Sequence, residues 1–137
     1  MLAVLIDAGP LTALLNPNDE WHTWARDTMR RLPAPLLTSE PVLTEVFHLM
    51  RRENCNADEL FALAEDGVIK IGLRFEDERA ALRELMARYR DVPMSLADAT
   101  LVRLAELNED SRVLTLDADF RIYCRHCSKV ILVLMPD

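Results

Sequence analysis

Residues 2–6 form a short run of apolar side chains, and this run constrains the fold more than any other part of the sequence. Five residues are too few for a stable helix, whereas a strand buried on both faces of a sheet is apolar at every position. The run ends at Asp7, and Gly9-Pro10 then mark a turn into a helix. The chain is therefore expected to begin with a buried strand of a parallel sheet.

The rest of the chain alternates between short apolar runs and longer segments of helical periodicity. Further strands are predicted at residues 36–38, 68–71, 112–116 and 129–133. Helices are predicted at residues 11–15, 19–32, 39–52, 56–67, 75–89 and 95–108. This alternation predicts an α/β fold, a three-layer sandwich with helices on both faces of a central parallel sheet. The length of 137 residues, without repeats or linkers, suits a single domain over residues 1–137.

Two acidic residues lie at the predicted carboxyl ends of strands. Asp7 directly follows the first strand, and Asp117 directly follows the strand at 112–116. Ligands of open parallel sheets bind outside these strand ends, so two acids from distant segments indicate a site there. Each acid also has a local explanation, because aspartate is a favoured N-cap of a following helix. Either interpretation fits one residue alone, and the pair favours a site.

Two further acids lie on predicted helices beside apolar side chains. Asp98 is in the first turn of the helix at 95–108, on its apolar face. An ionised carboxylate there needs a partner or a metal, although Ser95-x-x-Asp98 also fits a capping box. Glu45 lies at the edge of the apolar stripe of the helix at 39–52, where a solvated glutamate is equally ordinary.

Asp119 adds a fifth acid close to Asp117. An Asp-x-Asp sequence after a strand suggests two oxygen donors at one site, or one ligand and one cap. The pattern also resembles the nucleophile motif of haloacid-dehalogenase-type phosphatases. That fold needs most of its core after the motif, and too few residues follow Asp119 to supply it.

The order of these acids resembles that of PIN-domain ribonucleases, in particular the VapC-type toxins of bacterial toxin–antitoxin pairs. The resemblance rests on the segments Leu5-Ile6-Asp7-Ala8-Gly9-Pro10-Leu11, Thr44-Glu45-Val46, Pro93-Met94-Ser95-Leu96-Ala97-Asp98-Ala99 and Leu114-Thr115-Leu116-Asp117-Ala118-Asp119-Phe120. They cover nearly the whole chain. Ala8 stands where the family often has Thr or Ser, and Ser95 where it often has Asp, so fewer hydrogen bonds are expected around the site.

The resemblance implies a metal-dependent endoribonuclease that works with a cognate antitoxin and forms a homodimer. The residues implied to be catalytic and to bind the metal are Asp7, Glu45, Asp98 and Asp117, with Asp119 as a further ligand and Thr115 in support. If these acids converge they repel one another, and a divalent cation relieves the repulsion. A set of oxygen donors suits Mg²⁺ or Mn²⁺ rather than zinc or copper.

The acidic balance of the chain at first argues against an RNA substrate. Lys and Arg total 16 against 23 Asp and Glu, a net charge of −7, which excludes binding of nucleic acid by bulk positive charge. Without the five candidate site acids, acidic and basic residues nearly balance, so a metal pocket would account for most of the excess. The arginines that could form a cationic rim are Arg26, Arg30, Arg31, Arg51 and Arg52.

Two other functions fit the same residues, a catalytically inactive PIN-like binding module and a metal-dependent phosphatase acting on small phosphoesters. Cys124 and Cys127 form a CxxC, but structural zinc normally takes four ligands and no spacing here completes a set. Three cysteines favour a reducing cytoplasm over a secreted disulfide scaffold. No segment resembles a signal peptide or a membrane span, so no membrane partner is expected.

Overall fold

The computed structural model describes residues 2–137, and in it the N-terminal apolar run is the middle strand of a parallel sheet. In chain order the strands are β1 (Ala3–Ile6), β2 (Leu36–Thr38), β3 (Ile69–Ile71), β4 (Ser111–Leu114), β5 (Cys124–Arg125), β6 (Lys129–Val130) and β7 (Val133–Leu134). Five of them form the sheet in the order β3-β2-β1-β4-β7, and every pairing is parallel. Val4, Leu5 and Ile6 are almost fully buried, as expected of a strand covered on both faces.

The register between β1 and β4 brings their carboxyl ends to the same level. Ile6 pairs with Leu114, and the backbone N–H of Asp7 donates to the carbonyl of Leu114 at 3.0 Å. The segments that follow the two strands therefore leave the sheet side by side, although they are far apart in the sequence.

The helices connect the strands, and three of them begin with side-chain caps. They are α1 (Ala8–Leu15), α2 (His22–Arg30), α3 (Glu40–Arg52), α4 (Asp58–Glu65), α5 (Phe75–Arg88) and α6 (Leu96–Leu107). Asp7, Ser39 and Ser95 each accept a backbone N–H from the first turn of α1, α3 and α6. Such caps satisfy donors that the helix itself leaves unpaired.

The predicted α/β sandwich is confirmed, and the main differences lie at element ends. Helix α1 begins at Ala8 rather than at residue 11, because Asp7 caps it directly. Helix α2 begins at His22 rather than at residue 19, because the Asp19 carboxylate accepts the N–H of Trp21 in a turn. No helix within residues 2–137 is long and apolar enough to cross a membrane.

The prediction of one continuous strand at residues 129–133 is wrong. Lys129–Val130 pairs antiparallel with β5 in a separate hairpin, and only Val133–Leu134 joins the main sheet beside β4. The hairpin turns through His126 and Cys127, whose φ angles are 48° and 68°. Apolar composition identified both pieces as strand, but it carries no information about which sheet each piece joins.

Candidate active site

Four of the predicted acids line one small cleft at the carboxyl edge of the sheet. The cleft has a volume of about 230 Å³, and its acidic walls are Asp7, Glu45, Asp98 and Asp117. Asp7 directly follows β1, Glu45 lies on α3, and Asp98 is in the first turn of α6. Asp117 lies three residues past β4, which ends at Leu114 and not at residue 116 as predicted. Four segments that are distant in sequence thus place their carboxylates around one space.

Gly9 permits the close approach of α1 to the segment after β4. A Cβ built at Gly9 would lie 3.3 Å from Cβ and Cδ1 of Leu116, which is tighter than ordinary contact. Gly9 and Leu116 both line the cleft between Asp7 and Asp117. The small residue therefore lets the two strand-end acids share one wall.

Thr115 connects the two strand-end acids through its hydroxyl group. It is fully buried, donates to Oδ2 of Asp7 at 2.7 Å and accepts the backbone N–H of Asp117 at 2.9 Å. Oδ1 of Asp7 accepts the N–H of Ala8 at 2.8 Å. Ala8 has no hydroxyl to offer, and Thr115 from the neighbouring strand supplies one to Asp7 instead. The buried Asp7 carboxylate is thus held at both oxygens.

Asp98 forms the capping box that its spacing allowed and also faces the cleft. Its N–H donates to Oγ of Ser95 at 3.0 Å, and its Oδ2 accepts the N–H of Ser95 at 3.2 Å. The same Oδ2 accepts a hydrogen bond from the hydroxyl of Tyr123 at 3.1 Å. The local and the functional interpretations of Asp98 are therefore compatible, because the cap fixes the carboxylate at the wall of the cleft.

Burial, with a further contribution from neighbouring acids, raises the pKa values of three acids of the cleft. Burial raises the pKa of Asp7 to about 7, with further increases from the charges of Asp98 and Glu45, against the lowering effect of its hydrogen bonds. Burial and the charges of Asp98 and Asp117 raise the pKa of Glu45. Burial also raises the pKa of Asp98, with a smaller contribution from Asp117. Such mutual perturbation among carboxylates in a cleft is typical of a functional site.

The donor set fits a hard divalent cation bound partly through water. Within residues 2–137, no group of three or more His, Cys, Asp or Glu side chains is close enough to hold a metal ion directly. Mg²⁺ usually keeps several of its waters and binds through one or two carboxylates, so it does not require such a cage. Among the described residues, Asp98 and Asp117 are each held by hydrogen bonds at one carboxylate oxygen, while Oδ1 of Asp98 and Oδ2 of Asp117 accept none.

Asp119 is the one predicted ligand that does not line this cleft. It lies in a short 3-10 helix (Ala118–Arg121), and its backbone N–H donates to Oδ1 of Asp117 at 2.9 Å. In the Asp-x-Asp sequence, Asp117 therefore caps the 3-10 helix and lines the cleft, whereas Asp119 lies outside the cleft.

Two larger grooves adjoin the acidic cleft, and each shares different walls with it. One, of about 390 Å³, shares the walls Gly9, Leu49 and Leu116 with the cleft and is also lined by Arg52. The other, of about 780 Å³, shares Glu45 and is lined by the half-exposed ring of Phe75. The groove with Arg52 also contains the acids Asp19 and Glu53, so among the described residues Arg52 is its one cation, with acidic neighbours.

Tyr123 is a site residue that the sequence did not reveal. Its side chain is 1% exposed, yet its hydroxyl reaches Asp98. Burial and the nearby charge of Asp98 raise the pKa of Tyr123 well above its ordinary value, so the phenol is a neutral donor. It lies in a short irregular segment with no periodic pattern, and nothing in the sequence relates it to a helix 25 residues away.

The chain is similar to one known protein family over most of its length. The sequence model described as "PIN domain" matches residues 4–125. The fold is similar to that of VapC20 from Mycobacterium tuberculosis, a toxin that cleaves the sarcin–ricin loop, with a TM-score of 0.73 and 23% identity. That match covers 85% of this chain and 92% of the other and shows likeness of fold. No curated protein sequence gives a significant match.

Proposed function

Because this chain belongs to the PIN domain family, we propose that it is a metal-dependent endoribonuclease that hydrolyses RNA phosphodiester bonds. The observation that carries the proposal is the convergence of four carboxylates from four segments on one cleft. Asp7 is buried and Asp98 and Asp117 are half-buried. Like charges gathered around one cleft repel one another, so an arrangement of this kind indicates a bound cation.

Asp98 and Asp117 are the residues we assign to hold the ion, since each is fixed by a hydrogen bond at one oxygen while its other oxygen accepts none from the described residues. Asp7 and Glu45 add negative charge around it. Bound Mg²⁺ or Mn²⁺ would lower the pKa of a water molecule and stabilise negative charge on the phosphate. The donor chemistry does not choose between these two ions, and we propose either as the cofactor.

The protein's own contribution is to position groups and to accept a proton. Thr115 and Ala8 hold Asp7, while Ser95 and Tyr123 hold Asp98, so neither carboxylate is free to turn. Glu45 is exposed and its pKa is raised, which suits it to accept a proton from an attacking water. The acids thus act as ligands and bases and not as covalent nucleophiles.

The grooves beside the cleft support single-stranded RNA as the substrate. Arg52 can pair with a backbone phosphate, and Phe75 presents an aromatic face on which an unpaired base can stack. The chain carries a net charge of −7, so we expect weak RNA binding when the cleft holds no cation. The sarcin–ricin loop, the target of VapC20, is the first RNA to test.

We further propose that the chain is the toxin of a toxin–antitoxin pair, that it works in the cytoplasm and that it forms a homodimer. Exposed aromatic rings support a protein partner, since Phe47 and Phe61 lie on the surface with ring centroids 5.4 Å apart. Light scattering of the purified chain tests the dimer, and a strictly monomeric mass at micromolar concentration contradicts it. Co-purification with the product of the adjacent gene tests the antitoxin.

The central experiment incubates the purified protein with total RNA and maps the new ends. We expect cleavage with Mn²⁺ or Mg²⁺, none with EDTA, and none by Asp98→Asn. Asp66→Asn is the matched control, because Asp66 is exposed at the end of α4 and does not line the cleft. Cleavage by Asp98→Asn at the wild-type rate would refute the site. Hydrolysis of a phosphomonoester but not of RNA would indicate a phosphatase.

A further inference from the structure

Tyr123 is a buried phenol whose only polar atom contacts the candidate active site. Its hydroxyl donates to Oδ2 of Asp98 at 3.1 Å, and 1% of its surface is exposed. A buried tyrosine hydroxyl normally finds a hydrogen-bond partner, and here that partner is a candidate metal ligand on another segment.

The ring of Tyr123 is fixed from two sides by aromatic neighbours. The ring of Phe120 is perpendicular to it at a centroid distance of 5.3 Å, and the ring of Tyr89 lies edge-on at 5.1 Å. The backbone is also held, because the N–H of Tyr123 donates to the carbonyl of Asp119 at 3.1 Å. The hydroxyl therefore has a defined position and is not a mobile group that happens to reach Asp98.

The contact gives the two carboxylate oxygens of Asp98 different roles, since one accepts hydrogen bonds and the other can bind a ligand. Oδ2 accepts hydrogen bonds from Tyr123 and from the N–H of Ser95, whereas Oδ1 accepts none from the described residues. With one oxygen held at two points, the carboxylate cannot rotate, and its other oxygen remains available for a ligand.

The same contact joins the two segments that carry the candidate ligands. Asp117 caps the 3-10 helix that leads to Tyr123, and Asp98 lies on α6. We propose that Tyr123 is a positioning residue that orients Asp98 for the cation and fixes the Asp117 segment against α6. This inference rests on the proposed function. It makes metal affinity depend on Tyr123 as well as on the acids of the cleft.

The test compares Tyr123→Phe with the wild type by titration with Mn²⁺ alone, followed by the free-ion signal in electron paramagnetic resonance. The substitution removes one oxygen and keeps the ring, so we expect the unfolding midpoint in EDTA to stay close to that of the wild type. Loss of a hydrogen bond to a metal ligand typically weakens metal affinity by about 10- to 100-fold, and we expect a loss in that range. RNA cleavage should fall at limiting Mn²⁺ and recover at saturating Mn²⁺.

Tyr89→Phe is the matched control from the same aromatic cluster. The hydroxyl of Tyr89 accepts the N–H of Cys124 at 2.8 Å and contacts no acid of the cleft. We expect this variant, like Tyr123→Phe, to keep an unfolding midpoint close to that of the wild type in EDTA, and unlike Tyr123→Phe to bind Mn²⁺ as the wild type does. The difference in Mn²⁺ affinity between the two variants separates positioning of Asp98 from general support of the fold.

Two results would overturn the inference, and they differ from failure of the proposed function. Wild-type Mn²⁺ affinity in Tyr123→Phe refutes it, and so does an equal loss of affinity in Tyr89→Phe. If the wild type binds Mn²⁺ but cleaves no RNA, the proposed nuclease function fails and the binding comparison still decides the role of Tyr123. If the wild type binds no Mn²⁺, both proposals are wrong.

Discussion

Replacement of Asp7 by asparagine should make the metal-free protein more stable above neutral pH. Burial raises the pKa of Asp7 from 3.8 to about 7, which means that the folded state resists its ionisation. Between these two pH values the folded state binds a proton that the unfolded state has released. The contribution of Asp7 to the free energy of unfolding is therefore fully present below about pH 4 and is lost as the pH rises through about 7.

The size of this loss follows from the shift in pKa. A difference of about three pKa units corresponds to about 4 kcal/mol in the free energy of unfolding. Asparagine does not titrate, so Asp7→Asn avoids this loss. Its amide oxygen can still accept the N–H of Ala8, but its NH₂ group cannot accept the hydroxyl proton of Thr115. That missing hydrogen bond costs about 1 kcal/mol. The net gain at pH 8 is then about 3 kcal/mol.

Urea unfolding in EDTA at several pH values between 4 and 8 measures this effect. We expect Asp7→Asn to be less stable than the wild type by about 1 kcal/mol at pH 4 and more stable by about 3 kcal/mol at pH 8, with the curves crossing between. The variant should nevertheless cleave no RNA, and Mn²⁺ should stabilise it less than the wild type. Asp66→Asn, exposed at the end of α4, should show no such crossing.

One result would refute this reasoning directly. If Asp7→Asn is no more stable than the wild type at pH 8 in EDTA, or if the difference in stability does not grow with pH, then ionisation of the buried Asp7 carboxylate does not destabilise the fold. The electrostatic argument for a cation at this cleft would lose its main support, whatever the activity of the variant.

Three further predictions concern the surroundings of the cleft. Asp117→Asn should abolish Mn²⁺-dependent cleavage while Asp119→Asn retains measurable cleavage, because Asp119 does not line the cleft. If both variants lose cleavage equally in parallel assays, this prediction is wrong and both aspartates bind the metal. Thr115→Val should lower the free energy of unfolding by about 2 kcal/mol and reduce cleavage at least about tenfold, since its hydroxyl joins Asp7 to the Asp117 backbone; wild-type kinetics would contradict this. Arg52→Gln should raise KM for RNA and leave kcat nearly unchanged, because Arg52 lines the adjoining groove; an unaltered KM would remove it from the RNA path.

The strand-end acids show why part of the site is predictable from sequence. A continuous apolar strand followed by an aspartate places that aspartate at the carboxyl edge of a parallel sheet, and this holds for Asp7 after β1. Asp117 lies at the same edge although β4 ends three residues before it, at Leu114. The sequence leaves the roles of Asp98 and Glu45 ambiguous, since a capping box explains Asp98 locally and the edge of an apolar stripe explains Glu45. Their presence in the same cleft depends on how α3 and α6 pack on the sheet, which no local pattern specifies.

The sequence by itself determined the order of helices α1–α6 and strands β1–β4, the layered α/β architecture and the acids near the carboxyl ends of β1 and β4. It could do so because hydrophobic periodicity and turn residues act over short distances. Tertiary structure decided which acids share the cleft, that Asp119 lies outside it, and that the last apolar run divides between two sheets. It also decided the contacts of Thr115 and Tyr123, since each joins segments far apart in the chain. Such contacts arise from packing between elements, and the sequence near either partner carries no trace of them.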